Sequence, residues 1–390
     1  MNDTFCPLPW NHLATHPNGQ CTLCCVSDHT NNMSAAKSKE GNYLSLNSSR
    51  VFDIVNSDYF INVRKEMRSG IKPQACLRCF REEEMGIQSK RELSRRQFGT
   101  NFSDNNGTLE PNLKFIELRL GNVCNVQCRT CNPMSSTKWV SDYSKLQTAL
   151  PFVTQYPPQV DTNWAHSDAF WDDLLENSKE VELISINGGE PTLVEKHWKY
   201  LTRLIDRGYN KQTTLWYNIN MTNLPDKLLD IWKHFKKVIV HASIDDLRER
   251  NSYIRHGTSW ADVESNLQKL VDNKWIQTEI TQTVSWMNVF YIDEFLDFFQ
   301  KANLSVNMNF VHDPKFYSIT ILSKEIKEIM INRLARTEFT SVLDQLSSNT
   351  DPRLLSNGFE YTKWLDTKHN VSFEKTFAPW AKILGYDEHH

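Results

Sequence analysis

Hydrophobic and polar positions follow a regular pattern between residues 108 and 322, where short apolar runs alternate with longer amphipathic stretches. The short runs are typical of strands, and the longer stretches, with apolar residues every three or four positions, are typical of helices. The predicted strands are 114–120, 181–187, 213–221, 237–245, 276–285 and 304–311. The predicted helices between them include 193–207, 226–235, 260–271 and 291–302. This alternation predicts parallel strands with right-handed crossovers, and therefore an α/β fold, either a partial barrel or a doubly wound sheet.

The sequence on either side of this region has a different character. Residues 1–100 begin irregularly, with several prolines and glycines, and then contain predicted helices at 57–69 and after Cys79. The segment 101–107 is typical of a linker, and the chain from residue 323 is mostly helical in pattern. We therefore expect three parts, which are a cysteine-rich region at 1–100, a core at 108–322 and a helical C-terminal extension at 323–390.

Composition and charge exclude several classes of protein. Hydrophobic residues make up 39% and charged residues 23% of the chain, which is a globular composition. Because no apolar run approaches twenty residues, we expect no membrane span. The net charge of −3, from 44 basic and 47 acidic residues, gives no global attraction to nucleic acid or to an anionic membrane.

The cysteines are all in the first third of the chain. There are nine of them, and none follows Cys131. The first residues have neither a basic segment nor an apolar segment of the kind found in secretory signals. An odd number of cysteines without an export signal argues against a disulfide framework. We therefore expect a cytoplasmic protein whose clustered cysteines bind metal or take part in redox chemistry.

Three of these cysteines follow the first predicted strand of the alternating region. Cys124, Cys128 and Cys131 form a C-x3-C-x2-C pattern. Three thiolates at this spacing can hold one face of a [4Fe–4S] cluster and leave one iron open to another ligand, since such clusters normally take four cysteines. A zinc site completed by a distant histidine, or a group of reduced core thiols, is the alternative.

Polar residues follow the next three predicted strands. These residues are Gly188, Gly189 and Glu190 after the second strand, Asn220 near the end of the third, and Ser243 and Asp245 near the end of the fourth. The two glycines allow a ligand to approach the backbone, and the glutamate can receive an ammonium group. Each set could instead only cap the next helix. Their order after consecutive strands favours one ligand site at the carboxyl ends of the strands.

With these motifs the sequence resembles the radical S-adenosylmethionine superfamily over about residues 114–311. The resemblance implies a partial (β/α)6 TIM-like barrel in which the three cysteines ligate a [4Fe–4S] cluster that binds S-adenosylmethionine. It implies that Gly188, Gly189 and Glu190 hold the methionyl amine. It also implies that Ser243 and Asp245 contact the ribose or the methionyl end, with Asn220 as a further candidate. Arg255 is placed to meet the methionyl carboxylate.

The upstream cysteines resemble the auxiliary-cluster module called SPASM, in its shortened twitch form. The resemblance rests on Cys6, Gly19, Cys24 and the C-x2-C pair Cys76 and Cys79. It implies that the four cysteines ligate an auxiliary [4Fe–4S] cluster. Cys21 and Cys25 are left over. A different set, Cys21-x2-Cys24 with the Cys76 pair, has the spacing of a four-thiolate zinc site.

Together the resemblances imply an enzyme in which an external electron donor, flavodoxin-like or ferredoxin-like, reduces the first cluster. A 5′-deoxyadenosyl radical from S-adenosylmethionine then abstracts hydrogen from a substrate, for which a peptide or protein is our first hypothesis. A nucleoside, a sugar or another small metabolite is the second hypothesis, and a non-catalytic iron–sulfur or zinc protein is the third. Residues 61–99 have ten Lys or Arg and five Glu. They either contact an acidic or phosphate-bearing substrate or form a solvated helix face.

Overall fold

The computed structural model describes residues 3–27, 33–110, 112–156, 160–334, 339–348, 351 and 353–387. These residues form two compact units, each assembled from separate stretches of the chain. The first unit contains residues up to 123 together with 160–217 and 225–239, and the second contains 124–159, 218–224 and the chain from 240 onward. The division into a cysteine-rich region (1–100), a core (108–322) and a C-terminal extension (323–390) stays a prediction.

Ten strands are present in the described residues. They are β1 (His12–Thr15), β2 (Cys21–Thr22), β3 (Phe115–Arg119), β4 (Gln127–Cys128), β5 (Leu183–Asn187), β6 (Thr214–Ile219), β7 (Lys237–Ser243), β8 (Arg255–His256), β9 (Ile276–Val284) and β10 (Val306–Phe310). Strands β6 and β7 each begin in the first unit and end in the second.

The sheet of the first unit has the order β6-β5-β3-β1-β2. All of its pairs are parallel except the last, where β2 runs antiparallel to β1. The register places His12 opposite Phe115, and Phe115 opposite Leu183 on the other side. Strands β3 and β5 are buried along almost their whole length, as expected for parallel strands covered on both faces.

The second unit contains strands in the order β10-β9-β7, and β9 and β10 are parallel. A separate two-stranded antiparallel pair joins β4 to β8, with Cys128 opposite Arg255. The core of this unit is rich in aromatic side chains, and Trp139, Trp286 and Trp380 are completely buried in it. Large aromatic side chains of this kind contribute much of the apolar area that a domain buries.

Seventeen α-helices are present in the described residues. They are α1 (Leu8–Asn11), α2 (Val51–Val55), α3 (Asp58–Arg68), α4 (Leu77–Glu84), α5 (Lys90–Phe98), α6 (Val140–Ala149), α7 (Asp168–Glu176), α8 (Lys196–Asp206), α9 (Asp226–Trp232), α10 (Arg248–Ile254), α11 (Trp260–Asp272), α12 (Ile292–Lys301), α13 (Lys324–Arg333), α14 (Thr340–Leu346), α15 (Leu354–His369), α16 (Phe373–Thr376) and α17 (Ala378–Leu384).

Local sequence signals explain where the helices of the cysteine-rich region begin and end. The hydroxyl of Ser57 caps α3 by accepting a hydrogen bond from the amide of Phe60. Ser89 and Glu92 form a reciprocal capping box at the start of α5. Gly99 ends α5 with a φ of +75°, a conformation that favours glycine. The positions of the two helices therefore follow from residues at their ends.

The predicted α/β class is confirmed, and so is a helical C-terminal region. All six predicted strands are present as β3, β5, β6, β7, β9 and β10. The sequence did not predict β1, which contributes a parallel strand from the cysteine-rich region to the sheet of the first unit. Closure of the strands into a barrel stays a prediction. In the part of the chain that the structure describes, no helix is both long enough and apolar enough to cross a membrane.

Candidate functional site

Four cysteines of the first unit line one small cavity. They are Cys6, Cys24, Cys76 and Cys79, the four predicted auxiliary ligands. They come from the segment before α1, the loop after β2, the turn before α4 and α4 itself. The rest of the lining consists of Leu8, Val26, Ser27, Lys90 and Arg91. The fold therefore brings together cysteines that are up to 73 residues apart in the sequence.

The environment of these thiols disfavours an unpaired thiolate. Burial raises the pKa of Cys6 and of Cys24 to about 12, and the charge of Cys79 adds to both shifts. Burial also raises the pKa of Cys76 and Cys79. A bound metal centre requires thiolates and supplies the positive charge that stabilises them together. The donor set therefore fits a thiolate-ligated cluster that binds with release of protons.

The two remaining upstream cysteines do not line this cavity, although both lie within the described residues. Cys21 is completely buried, and its thiol donates to the carbonyl of Gly19 at 3.6 Å. Gly19 has a φ of +77°, and a Cβ there would lie 2.8 Å from the ring of Trp164. The structure therefore gives Gly19 a packing role and does not bring Cys21 into the four-cysteine zinc set that its spacing suggests.

The three-cysteine loop lies in the second unit and is fixed by its own backbone. Cys128 is in β4, and its carbonyl accepts the amide of Cys131 at 3.0 Å and the indole N–H of Trp139 at 3.1 Å. Burial raises the pKa of Cys131 to about 11, with a further contribution from the charge of Cys124. Burial also raises the pKa of Cys128, and the charges of the other two thiolates add to this shift. The three thiols are therefore close enough to influence one another.

A buried arginine faces this loop across the β4–β8 pair. Burial acts to lower the pKa of Arg255, but the charges of Cys128 and Asp245 outweigh it, so the pKa is raised. The guanidinium Nη1 lies 3.0 Å from Asp245 Oδ2. Among the described residues, none accepts a hydrogen bond from the Arg255 Nε. Arg255 is therefore a fixed positive charge with a remaining donor, which suits an anionic group bound at the cysteines.

Asp245 has a positioning role in this arrangement. Its side chain is buried and accepts both the guanidinium of Arg255 and the amide of Thr283, the latter at 2.8 Å. Its own amide donates to Asn251 at 3.0 Å. The structure therefore places Asp245 beneath Arg255 as its counter-ion. Ser243, at the end of β7, is partly buried.

Asn220 lies beside the first cysteine of the loop. Its side-chain amide is 3.9 Å from the sulfur of Cys124 and donates to Asn125 at 2.8 Å. Asn125 in turn donates to Thr222 at 2.8 Å, and the Thr222 hydroxyl donates to Asn220 at 2.6 Å. This closed set of hydrogen bonds orients the Asn220 amide, which can donate to a cluster sulfur or to a ligand.

The two predicted glycines allow two loops of the first unit to approach each other. A Cβ on Gly189 would lie 2.2 Å from the carbonyl oxygen of Val123, and one on Gly188 would lie 2.6 Å from the amide of Leu120. The amide of Glu190 donates to Val123 at 2.7 Å. The structure thus provides a packing reason for both glycines. The predicted contact with a ligand stays a prediction.

Glu190 is buried and caps the short helical turn that follows it. Its Oε1 accepts the amide of Thr192 at 3.1 Å and the Thr192 hydroxyl at 2.7 Å. A buried carboxylate of this kind can also receive an ammonium group. Both roles are compatible, because a carboxylate accepts several hydrogen bonds at once.

One supporting residue, between two of the predicted ligands, was not predicted from the sequence. Arg129 is completely buried, donates to the carbonyl of Tyr253 at 3.0 Å and forms an ion pair with Asp366 of α15. Asp366 also accepts the Tyr253 hydroxyl at 2.5 Å and the amide of Phe373 at 2.7 Å. The C-terminal helix α15 therefore supplies the counter-charge for an arginine inside the cysteine loop.

The last turn of α15 makes further contacts with the strand that carries Cys128. The His369 Nε2 lies 3.0 Å from the side-chain oxygen of Gln127, and Lys368 pairs with Asp142 at 2.9 Å. The His369 ring stacks on His256 of β8 at 3.6 Å. Burial lowers the pKa of His369 to about 4, so this stack joins neutral rings near pH 7. The C-terminal extension is thus part of the support of the cysteine loop.

The family-model comparison identifies a match in the cysteine-rich region. Residues 6–80 match SPASM, described as an iron–sulfur cluster-binding domain. The matched segment contains all four cysteines that line the cavity of the first unit. The predicted resemblance of this region to SPASM is therefore confirmed.

Several solved structures are similar to part of this chain, each at low sequence identity and with a TM-score below 0.5. Native anSMEcpe with bound AdoMet matches at 14% identity and a TM-score of 0.41, over 61% of this chain and 62% of that chain. The complex of anSMEcpe with AdoMet and the Cp18Cys peptide matches at 16% identity and a TM-score of 0.42, over 62% of this chain and 63% of that chain. SuiB of Streptococcus suis bound to precursor peptide SuiA matches at 15% identity and a TM-score of 0.35, over 69% of this chain and 60% of that chain. The chain thus spans about three fifths of each. A comparison with curated proteins finds no match.

The buried Arg129–Asp366 pair gives a testable prediction. Asp366→Asn leaves the Arg129 charge buried without a counter-charge, so we expect the free energy of unfolding to fall by about 3–5 kcal/mol. The double variant Arg129→Met with Asp366→Leu removes both charges. Its loss in free energy of unfolding should be smaller than the sum of the losses of the single variants Arg129→Met and Asp366→Leu. Chemical denaturation of the reduced protein measures these values.

The matched control is the exposed pair Arg203 and Asp172, where Asp172→Asn should cost about 1 kcal/mol or less. A loss for Asp366→Asn no greater than that of the control would contradict the role assigned to the buried pair.

Proposed function

We propose that this protein is a radical S-adenosylmethionine enzyme that acts on a peptide or protein. In this proposal Cys124, Cys128 and Cys131 hold a [4Fe–4S] cluster that binds the cofactor. An auxiliary [4Fe–4S] cluster is held by Cys6, Cys24, Cys76 and Cys79. The observation that carries the proposal is the folded three-cysteine loop with the unpaired Nε of the buried Arg255 beside it. The SPASM match over residues 6–80 supports the auxiliary cluster.

The cluster and S-adenosylmethionine, when bound, supply a 5′-deoxyadenosyl radical that abstracts hydrogen from the substrate. The chain's own residues bind S-adenosylmethionine and orient it. Arg255, held by Asp245, offers its free Nε–H to an anionic group such as the methionyl carboxylate. Asn220, held by its neighbours Asn125 and Thr222, offers an amide donor beside Cys124. Both side chains are held in place by other residues, so little conformational entropy is lost when a ligand binds.

Glu190 has the complementary role in the first unit. Its buried carboxylate is already oriented by Thr192, and it offers a negative charge to the methionyl ammonium. A peptide or protein is the substrate class that the resemblance to auxiliary-cluster enzymes implies. The electron donor in the proposal is an external flavodoxin-like or ferredoxin-like protein.

Formation of 5′-deoxyadenosine tests the proposed function. After anaerobic reconstitution with iron and sulfide, the protein should form it slowly from S-adenosylmethionine and dithionite even without substrate. Cys128→Ala should abolish the product, because the cofactor's iron site is lost. The product is measured by chromatography with mass detection. Binding of S-adenosylmethionine without cleavage by any reductant would favour the non-catalytic alternative.

Iron content tests the two-cluster arrangement. We expect about eight irons per chain from two [4Fe–4S] clusters, and about four after Cys124, Cys128 and Cys131 are replaced by alanine. Cys21→Ala is the matched control and should keep about eight, because Cys21 lies outside the lining of the cavity. Metal analysis of the purified protein gives these values. Four irons and one zinc in the unaltered protein would contradict the auxiliary cluster.

Glu190→Gln tests the charge assigned to that residue. Glutamine keeps an oxygen to accept from Thr192, so the local turn should persist while the negative charge is lost. A charge-assisted hydrogen bond contributes roughly 1.5–3 kcal/mol. Binding of S-adenosylmethionine should therefore weaken by about ten- to a hundredfold. Calorimetry on the reconstituted protein measures the affinity.

The control for this experiment is Glu195→Gln, a nearby exposed glutamate, which should leave the affinity unchanged. Iron content should be the same in both variants, since neither residue is a proposed ligand. Normal cofactor binding by Glu190→Gln would show that the glutamate only caps the turn.

A further inference from the structure

Strand β10 is an edge strand of the second unit. It pairs with β9 on one side, and no strand of the described residues pairs with it on the other. The pairing with β9 is parallel and continuous, from Val306 opposite Ile280 to Phe310 opposite Val284, without a bulge. An edge strand presents a row of unpaired backbone N–H and C=O groups, which makes it a template for another extended chain.

The hydrogen bonds determine which residues of β10 face outward. The amide of Ile280 donates to the carbonyl of Ser305 at 2.8 Å. Because alternate residues of a strand direct their N–H and C=O groups to opposite sides, β10 bonds to β9 through its odd-numbered residues. The N–H and C=O groups of Val306, Met308 and Phe310 therefore point away from β9. Among the residues that the structure describes, none forms a hydrogen bond with these groups.

The sequence of β10 lacks the usual protection of an edge strand. Natural edges are blunted by charged side chains, by proline, by bulges or by a very short strand. Residues 305–311, SVNMNFV, contain no charged residue and no proline. The edge strand of the first unit, β2, is by contrast only two residues long, and its Thr22 bridges Ala35. Of these two edges, β10 is the one that is open to a partner.

The two faces of β10 differ in polarity, which selects the sequence of an added strand. Met308 and Phe310 are partly buried and pack against the core of the second unit. Asn307 and Asn309 lie on the other face and are exposed. The Asn307 amide donates to Glu279 of β9 at 2.7 Å, so this face is polar. Since cross-strand neighbours share a face, the fitting partner is an extended segment that alternates apolar and polar residues.

The polar face leads to the proposed cofactor site of the same unit. Asn309 lies opposite Thr283, whose amide donates to Asp245 at 2.8 Å. Asp245 in turn holds Arg255. Neighbouring strands are about 4.8 Å apart, so a strand added to β10 would lie about 10 Å from β9. Its polar side chains would then point into the space beside the residues assigned to the cofactor, where a substrate has to lie.

We propose that β10 binds the peptide substrate as an added, extended strand, through the backbone groups of Val306, Met308 and Phe310. This inference rests on the proposed function and states how its substrate is held. In this mode of recognition, main-chain hydrogen bonds supply affinity and alternate side chains supply specificity. A second copy of the chain is disfavoured, because a five-residue strand offers much less contact than the roughly 1,200–2,000 Å² that a stable interface buries.

Peptide binding tests the inference. The probe is a displayed library of random twelve-residue peptides, selected on the reconstituted full chain, and the enriched peptides are then synthesised. Their sequences should alternate apolar and polar residues. N-methylation removes backbone donors, so methylating one alternate set of residues should weaken binding about tenfold or more, and methylating the other set should change it less than about twofold. Calorimetry measures the affinities.

Met308→Pro is the matched change in the protein. Proline removes the outward N–H, and it is tolerated on an edge strand where that N–H does not face the neighbouring strand. Peptide binding should weaken about tenfold, whereas Met308→Leu, which keeps the N–H, should change it less than about twofold. Thermal unfolding of both variants checks that the fold persists.

Formation of 5′-deoxyadenosine separates this inference from the proposed function. Without peptide and with dithionite, Met308→Pro should form it at the rate of the unaltered protein, because Met308 is not assigned to the cofactor site. Failure of the unaltered protein to form it would count against the proposed function, while peptide binding by β10 is measured without turnover.

Hydrogen exchange of single amides tests the open edge before any peptide is added. In the free protein, the amides of Val306, Met308 and Phe310 should exchange much faster than those of Asn307 and Asn309, which bond to β9. An enriched peptide should slow the three fast amides. Slow exchange of all five in the free protein would overturn the inference, because the chain itself would then cover the edge.

Two further results would also overturn the inference. The first is a dimer of the unaltered protein and a monomer of Met308→Pro in analytical ultracentrifugation, which would make the edge a contact between two copies. The second is peptide binding that is unchanged in Met308→Pro, or that both sets of N-methyl groups weaken equally, which would place the peptide elsewhere.

Discussion

The burial of several thiols at one place is the constraint on which the other features of this structure depend. Each group of cysteines lies where water is largely excluded, and burial there favours the neutral thiol over the thiolate that a metal needs. Cationic side chains are present at both places. Arg255 lies beside the three-cysteine loop, and Arg91 lines the four-cysteine cavity. These charges lower the cost of keeping thiolates in a dry site.

The cations in turn require their own partners, which extends the network outward. Asp245 holds Arg255, and Asp366 holds Arg129 inside the cysteine loop. Because Asp366 belongs to α15, the helical C-terminal extension has a defined part in supporting the loop. A buried charge without a partner is strongly destabilising, so each of these pairs stabilises the loop. In this way the chemistry expected of one short segment constrains residues more than two hundred positions away.

The two cysteine groups have different surroundings, which agrees with different roles. Donors that are held in place by other residues, Asn220 and Arg255, lie beside the three-cysteine loop. The four-cysteine cavity contains four thiols and is also lined by Lys90 and Arg91. In the proposed function, the first arrangement suits a cluster that takes an exogenous ligand, and the second suits a fully ligated cluster.

The sequence alone determined the parallel α/β class, the six strands of the core and the grouping of Cys124, Cys128 and Cys131. It did so because strand periodicity, glycine turns and cysteine spacing are local signals that a few neighbouring residues carry. That Cys6 and Cys79 line the same cavity was predicted only through a resemblance. Their proximity is visible only in the tertiary structure. The roles of Gly189, Arg129 and Asp366 were decided by the fold. Steric contact between distant loops and charge pairing between distant segments depend on through-space distances, which have no fixed separation in the sequence.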